Sequence, residues 1–189
     1  MKTRHIGNAV LLSLGLAMAQ NCIAEVDLLS QYCGAQGGTV TPMTAWFDTN
    51  KGPVAGFTEQ FCTFTRDKGY IVIGLKAFAS EQPNIAATYM KTLPEFKDDS
   101  DLMRDKTKPA GEAKGYGLPN PSYAVCQNLG GAAITYKFHG NFRPQQGGDV
   151  DICVFGDGSM VSAWSLIYMA NHRAGYDEVK SYVKSEPLQ

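Results

Sequence analysis

The sequence predicts an α+β fold made of two tandem, disulfide-stapled repeats, each a short helix, a small antiparallel sheet and a closing helix. Three observations predict it. An internal repeat aligns two cysteines, a Gly-Gly pair and a C-x-F segment in each half of the chain. Helix and strand signals then follow in the same order in both halves. Finally, Cys33, Cys62, Cys126 and Cys153 fall two to a repeat, at matching places.

The alignment sets Cys33 on Cys126, which places Asp27 on Asn120 and Gly37-Gly38 on Gly130-Gly131. A gap of two residues brings Cys62 onto Cys153, and both continue as C-x-F with Phe64 and Phe155. Asp27 and Asn120 suit helix N-caps, because a short side-chain oxygen accepts from the free N–H groups of the first turn. Pro121 fits the first helical position, where its missing donor costs nothing. Gly37 and Gly130 stand where a left-handed residue ends a helix. Helices are therefore expected at Asp27–Gln36 and Pro121–Leu129, each with its cysteine on the last turn.

Strands are expected next, at Thr39–Phe47 and Ala132–Phe138. Loops rich in Gly, Pro, Asn and Gln follow at Asp48–Gly56 and His139–Gly148, then second strands at Phe57–Thr65 and Asp149–Phe155. Asp67-Lys68-Gly69 and Gly156-Asp157-Gly158 are turn signals. A short third strand and a helix close each copy. Ala163–Arg173 is the clearer closing helix, whereas Leu75–Met90 breaks at Pro83. After Gly175, the residues Tyr176, Val179, Tyr182 and Val183 recur at helical spacing and predict a terminal amphipathic helix.

Four cysteines allow three pairings. Treating the copies alike selects Cys33–Cys62 and Cys126–Cys153, each tying an opening helix to its own second strand. Closing loops of this length contributes about 3 to 4 kcal/mol apiece in the chain-entropy picture, a large share of a small module's stability.

The N-terminus reads as an export signal. Lys2, Arg4 and His5 precede the apolar run Ala9 to Ala19, which suits a signal peptide and is too short for a membrane span. Cleavage after Ala19 or after Ala24 fits the small-residue rule. Cleavage after Ala24 removes Cys22 and leaves an even set of cysteines, as an oxidising compartment favours. Lipidation at Cys22 is the competing reading, disfavoured by Asn21 where a small residue is wanted. Removing Lys2 and Arg4 with the signal takes the formal charge from −1 to −3. That is too near neutral to indicate a nucleic acid or an anionic membrane surface as partner. No later apolar run approaches a transmembrane span.

The expected boundaries are residues 1–24 for the signal peptide, 25–93 for repeat module 1 and 94–119 for a charged Pro/Gly linker. Residues 120–174 form repeat module 2, and residues 175–189 form the amphipathic helix and tail. The linker has mixed charges, with a helical turn or two near Asp98–Lys106.

No catalytic constellation stands out. His139 and His172 lack further ligands at metal-binding spacing, and no C-x-x-C pair exists. Ser159 sits in G-D-G-S-M, which is not the G-x-S-x-G nucleophile elbow; a hairpin-turn residue is expected there. Asp48, Asn50 and Glu59 match three places of a calcium-loop count, but Gly52 and Pro53 occupy its fifth and sixth places. Asp149 and Asp151 share one face of a strand, expected to be solvated. No cofactor or metal is predicted. Trp46, Trp164, Tyr176 and Tyr182 remain as candidate interface residues, since exposed aromatics anchor interfaces well.

The second copy resembles a family of small bacterial envelope domains of unknown function that carry a hemolysin-like label. The resemblance runs through Asn120-Pro121-Ser122-Tyr123-Ala124-Val125-Cys126, Gly130-Gly131, Cys153-Val154-Phe155-Gly156-Asp157-Gly158 and Trp164-Ser165-Leu166. Gly156, Val161 and Ala163 stand where that family has Pro, Cys and Glu. The resemblance implies export and a cysteine-stabilised α+β module. The chain also looks like accessory subunits of outer-membrane assemblies such as the Dot/Icm-type type IV secretion core complex, an association that no motif carries.

The expected function is a non-catalytic structural or binding subunit of a multi-protein cell-envelope assembly, located in the periplasm and associated with the outer membrane. The alternative is a periplasmic inhibitor of a protease or lysozyme-like enzyme, with Asp48–Gly56 or His139–Gly148 as the inserting loop. A secreted toxin or hydrolase rests on the family label alone.

Overall fold

The computed structural model describes residues 26–66, 69–95, 121–138 and 148–188. The expected signal peptide with Cys22, residues 96–119 of the expected linker, the Asn120 cap, Asp67 and Lys68, His139 and residues 139–147 of the second loop lie outside the described residues.

The chain is α+β, and its antiparallel strands close into a six-stranded barrel. After helix α1 (residues 26–35) come β1 (Thr39–Thr49), β2 (Gly52–Arg66), β3 (Gly69–Gly74), α2 (Leu75–Ala79) and α3 (Ile85–Thr92). Then follow α4 (Pro121–Asn128), β4 (Ala132–Phe138), β5 (Asp149–Val154), β6 (Met160–Ser162), α5 (Ala163–Ala170) and α6 (Tyr176–Tyr182). The strand order around the barrel is β1-β2-β3-β6-β5-β4, closing on β1. Two separate small sheets were expected. Instead, β1 pairs β4 from Met43↔Phe138 to Trp46↔Thr135, and β3 meets β6 at Ile73↔Val161. The physical reason is that a three-stranded sheet leaves two bare edges, and closure removes them.

Alternation along the strands sorts the side chains. Met43, Ala45, Phe61, Val72, Tyr136, Val150 and Ile152 are buried together inside the barrel. Their neighbours Cys62, Phe64, Ile71, Ile73, Cys153 and Val161 turn outward and pack under the helices in the larger core. Thr41 and Thr63, both buried, hydrogen-bond each other at 2.9 Å, satisfying two hydroxyls that would otherwise be stranded.

Both opening helices end as the glycines predict. Gly37 and Gly130 each have φ +77°, and the next N–H groups, of Gly38 and Gly131, donate to Cys33 O at 3.0 Å and Cys126 O at 2.8 Å. This is the Schellman arrangement, which satisfies carbonyls at a helix end. It delivers each chain into its first strand beside its own cysteine. Disulfides join Cys33 to Cys62 and Cys126 to Cys153, with Cα separations of 5.8 and 5.2 Å.

The β3–β6 seam is short, and the closing helices complete it. Beside Ile73↔Val161, the Val72 N–H donates to Ser165 Oγ of α5 at 3.1 Å, and the Tyr176 hydroxyl of α6 donates to Tyr70 O at 3.3 Å. Polar groups of β3 that a longer β6 would have paired are met by helix side chains instead.

One expected loop is not a loop. Asp48–Gly56 forms the end of a β-hairpin, with β1 continuing to Thr49, β2 starting at Gly52 and Asn50-Lys51 between them. Thr49 Oγ1 accepts from the Lys51 N–H at 3.2 Å and donates to Gly52 O at 2.6 Å. Gly52 takes φ +102°, which its lack of a Cβ permits. That turn chemistry holds the two strands together where composition alone suggested a loop.

Candidate functional site

The four residues singled out as interface candidates have different fates. Tyr176 is 1% exposed and part of the core, so it offers no surface to a partner. The helical spacing of Tyr176, Val179 and Val183 is real, but that face of α6 packs inward. Tyr182 is half-buried, and its hydroxyl donates to Glu178 at 2.8 Å. Trp164, also half-buried, stacks on Tyr168 with ring centroids 5.6 Å apart. Trp46 lies half-buried on β1, with Lys137 Nζ 4.3 Å from its ring centre, an attraction of about 0.5–1 kcal/mol at such a site.

Trp46 leads to the feature that sequence reading missed. Beyond it, the β1–β2 hairpin carries Phe47, Val54 and Phe57 at 38%, 51% and 48% exposure. The rings of Phe47 and Phe57 lie 6.4 Å apart, and Phe57 meets the buried Tyr136 edge-on at 6.0 Å. A Cβ at Gly56 would come within 2.5 Å of the Phe47 ring, so the glycine lets that ring lie flat on the strand. The result is an apolar platform on a turn-locked hairpin, rooted in the barrel through Tyr136. A contiguous exposed apolar cluster of this kind marks an interaction site more often than scattered single residues do. No sequence signal separates these side chains from core ones, because their exposure depends on where the barrel ends.

The chemistry-bearing groups are engaged elsewhere in the fold. Asp157 Oδ2 accepts from the Ile85 N–H at 2.7 Å and Ser159 Oγ accepts from the Ala86 N–H at 3.0 Å, while Asn84 accepts from the Ala87 N–H at 2.8 Å. The β5–β6 turn therefore caps α3, more than seventy residues away in sequence. Desolvation pushes the Asp157 carboxyl up, but hydrogen bonds from the Ser159 hydroxyl and from the Ile85 and Ser159 amides outweigh it and hold the pKa below its ordinary value. Ser159 is thus a turn residue, as expected, with an additional capping role.

His172 adopts φ +49° just past α5, and its Nδ1 lies 3.0 Å from Asp177, with both side chains exposed. Asp151, expected to be solvated, is half-buried and accepts from the Ser122 hydroxyl at 2.7 Å. Desolvation, with Asp151 nearby, pushes the Tyr70 phenol up to about 12. Among the described residues, no group of three or more His, Cys, Asp and Glu side chains is arranged to hold a metal ion.

Two concavities accompany the platform. One, of about 600 Å³, lies where α5 and α6 meet the end of β2 and is lined by Arg66, Arg173, Gly175, Tyr176 and Glu178. Its Arg66 is committed to the fold, donating to Gly175 O and Thr65 O at 3.0 Å each. The other, of about 310 Å³, lies between α1, β2 and the β5–β6 turn and includes Leu29, Glu59, Lys76 and Asp157.

Fold and site together define a small disulfide-stapled α+β barrel that presents an apolar hairpin. Within it, residues 117–169 match the family described as Domain of unknown function (DUF333), which covers α4, the strands β4 to β6 and most of α5. No curated protein and no solved structure matches the chain. Among the described residues, no helix is long and apolar enough to cross a membrane.

Proposed function

We propose that this chain is an exported, non-catalytic structural or binding subunit of a bacterial cell-envelope assembly, acting in the periplasm at the outer membrane. The observation that carries the reading is the β1–β2 hairpin, which turns Phe47, Val54 and Phe57 outward while the cysteines, Asp157 and Ser159 serve the fold. Paired disulfides and the export signal expected from the sequence support an oxidising compartment. Among such assemblies, we favour the outer-membrane core complex of a type IV secretion system, on an association that no motif carries.

The same reading takes the chain as two diverged copies of one module. Several matched features support it. In each half the second cysteine lies in register with the residue seven positions after the first: Cys62 with Val40, and Cys153 with Ala133. The helix ends repeat the same bonds, and the disulfides span separations of 29 and 27 residues.

Tagging the protein and gently solubilising envelopes should recover it in a megadalton particle. Val54→Ser with Phe57→Ser should release it from that particle while leaving it folded. Recovery of the unaltered protein only in free form would sink the proposal. Recovery one-to-one with a hydrolase would instead favour the inhibitor reading, for which a rigid projecting hairpin is a suitable inserting element.

A further inference from the structure

The cyclic strand order β1-β2-β3-β6-β5-β4 is unchanged when β1, β2 and β3 trade places with β4, β5 and β6. Pairing within each run of three is extensive: β1 and β2 are in register from Thr39↔Thr63 to Thr49↔Gly52, and β4 and β5 from Ala132↔Val154 to Lys137↔Asp149. Between the runs there are two short seams, four residue pairs along β1·β4 and the single pair Ile73↔Val161 along β3·β6. Each disulfide ties a run to the helix that precedes it in the same half, and neither crosses a seam. The residues matching the unknown-function domain supply one run. That run alone would have bare β4 and β6 edges and would expose Tyr136, Val150 and Ile152, which Met43, Phe61 and Val72 of the other run cover.

We infer that the barrel is an interface between two half-barrels carried on one chain, and that a second copy of this chain can supply either half. In the resulting dimer, residues 26–95 of each copy close a barrel with residues 121–188 of the other. The cross-seam contacts favour this occupant over any other. The Asp157 and Ser159 bonds to α3, Ser165 to Val72, Tyr176 to Tyr70 and the Asn84 amide to Ser185 at 2.9 Å all join opposite halves. Exchange therefore reproduces every one of them in trans, and no new complementarity is required. The 25 residues from 96 to 120 have a contour of roughly 80–90 Å at full extension, so chain length permits both closures. A short tether gives an effective concentration in the mM range. The single-chain barrel therefore dominates at µM protein, and the exchanged form grows as protein concentration approaches that range. The inference stands apart from the envelope role and can fail without it.

The test uses two versions of the full chain, one with Thr44→Cys and one with Lys137→Cys, positions that face each other across the β1·β4 seam. Neither version can form the new link within itself. Co-refolding the two at about 1 mM should give a reducible mixed dimer, roughly tenfold more than at 0.1 mM relative to monomer, as mass action requires. A control mixture of Thr44→Cys with Ser181→Cys should give little. No mixed dimer from well-folded versions, or equal yield in the control, would overturn the inference. If the cysteine versions misfold, isotope-labelled and unlabelled wild-type chains co-refolded at the same concentration decide it. Mixed-label dimers in a native mass spectrum that form on co-refolding but not on mixing already folded chains support exchange, whereas monomer masses alone, or equal dimer from both mixtures, refute it.

Discussion

Replacing Asp157 with alanine tests whether the β5–β6 turn holds α3 in place. The carboxylate accepts from the Ile85 N–H at 2.7 Å, the Ser159 N–H at 2.9 Å and the Ser159 hydroxyl at 2.6 Å. Losing a cap costs about 1 kcal/mol. A hydrogen bond to a charged acceptor adds about 1.5 kcal/mol at the low end of its range, the end that suits an exposed carboxylate. Asp157→Ala should therefore destabilise by about 1.5–2.5 kcal/mol at pH 7, lowering Tm by about 4–8 °C for a chain of this size. Asp157→Asn keeps an acceptor for Ile85 and loses chiefly the charge at a helix N-terminus, about 0.3–1 kcal/mol. Because the folded carboxyl has a depressed pKa, its stabilisation is complete above the unfolded value near 3.9 and fades as pH falls through the folded value. Urea unfolding followed by circular dichroism at pH 7, and again well into the acid range, reads both effects with the disulfides intact. An alanine variant within about 0.3 kcal/mol of wild type at pH 7 would refute the clamp, as would a wild-type advantage over Asp157→Asn that survives undiminished in acid.

Removing either disulfide by paired alanines, Cys33 with Cys62 or Cys126 with Cys153, should cost about 3.5 kcal/mol in urea titrations. The two losses should be nearly equal, because the sequence separations are 29 and 27. Gly38→Ala should destabilise by about 2–3 kcal/mol and Gly131→Ala by about 1 kcal/mol. A Cβ at Gly38 would lie 2.6 Å from Cys62 Sγ, whereas at Gly131 the nearest atom is a Phe155 ring carbon at 3.0 Å. Burial raises the phenol pKa of Tyr70 to about 12 and raises that of Tyr136 as well. Their contribution is complete below the unfolded value near 10 and is lost as pH rises through the folded values, so Tyr70→Phe and Tyr136→Phe should each flatten alkaline unfolding measured by fluorescence. Val54→Ser with Phe57→Ser should lower urea stability by about 1.5–3 kcal/mol together, since each side chain is about half exposed and forfeits about half of a full burial term.

The parts of this fold that read clearly from the sequence are those fixed by local chemistry. Pro121 starts a helix, Gly37 and Gly130 end helices, and like treatment of like cysteines gave the pairing found. Strands β4 and β5 fell within a residue of expectation. What failed depends on distant partners. Nothing near Met43 or Phe138 indicates that these residues lie opposite each other across a seam. The spacing of Tyr176, Val179 and Val183 predicts an apolar helix face equally well whether it meets the core or a partner. Asp157 and Ser159 look like turn residues and are turn residues. Their second role appears only when Ile85 and Ala86 are brought beside them. The first hairpin differs for another reason: Asp, Asn, Gly and Pro predict a loop, whereas Thr49 and Gly52 use that composition to close a tight turn.

Under the proposed duplication, the first hairpin and the segment aligned with it are nearly equal in length but unlike in sequence. Trp46, Phe47, Val54 and Phe57 align with His139, Gly140, Gln145 and Gly148 of the second copy. The staves of the barrel must stay apolar in both copies, since Phe61, Val72, Tyr136 and Ile152 fill one shared interior. The end of the first hairpin carries no such requirement, and packing on Tyr136 still leaves Phe47, Val54 and Phe57 at 38%, 51% and 48% exposure. Half-exposed Phe and Val side chains contribute only part of a full burial term to folding and raise the risk of self-association. Their retention on one hairpin, where the aligned positions hold polar or glycine residues, is best accounted for by a surface that buries them. A binding role for the first hairpin follows more directly from that contrast than from exposure alone.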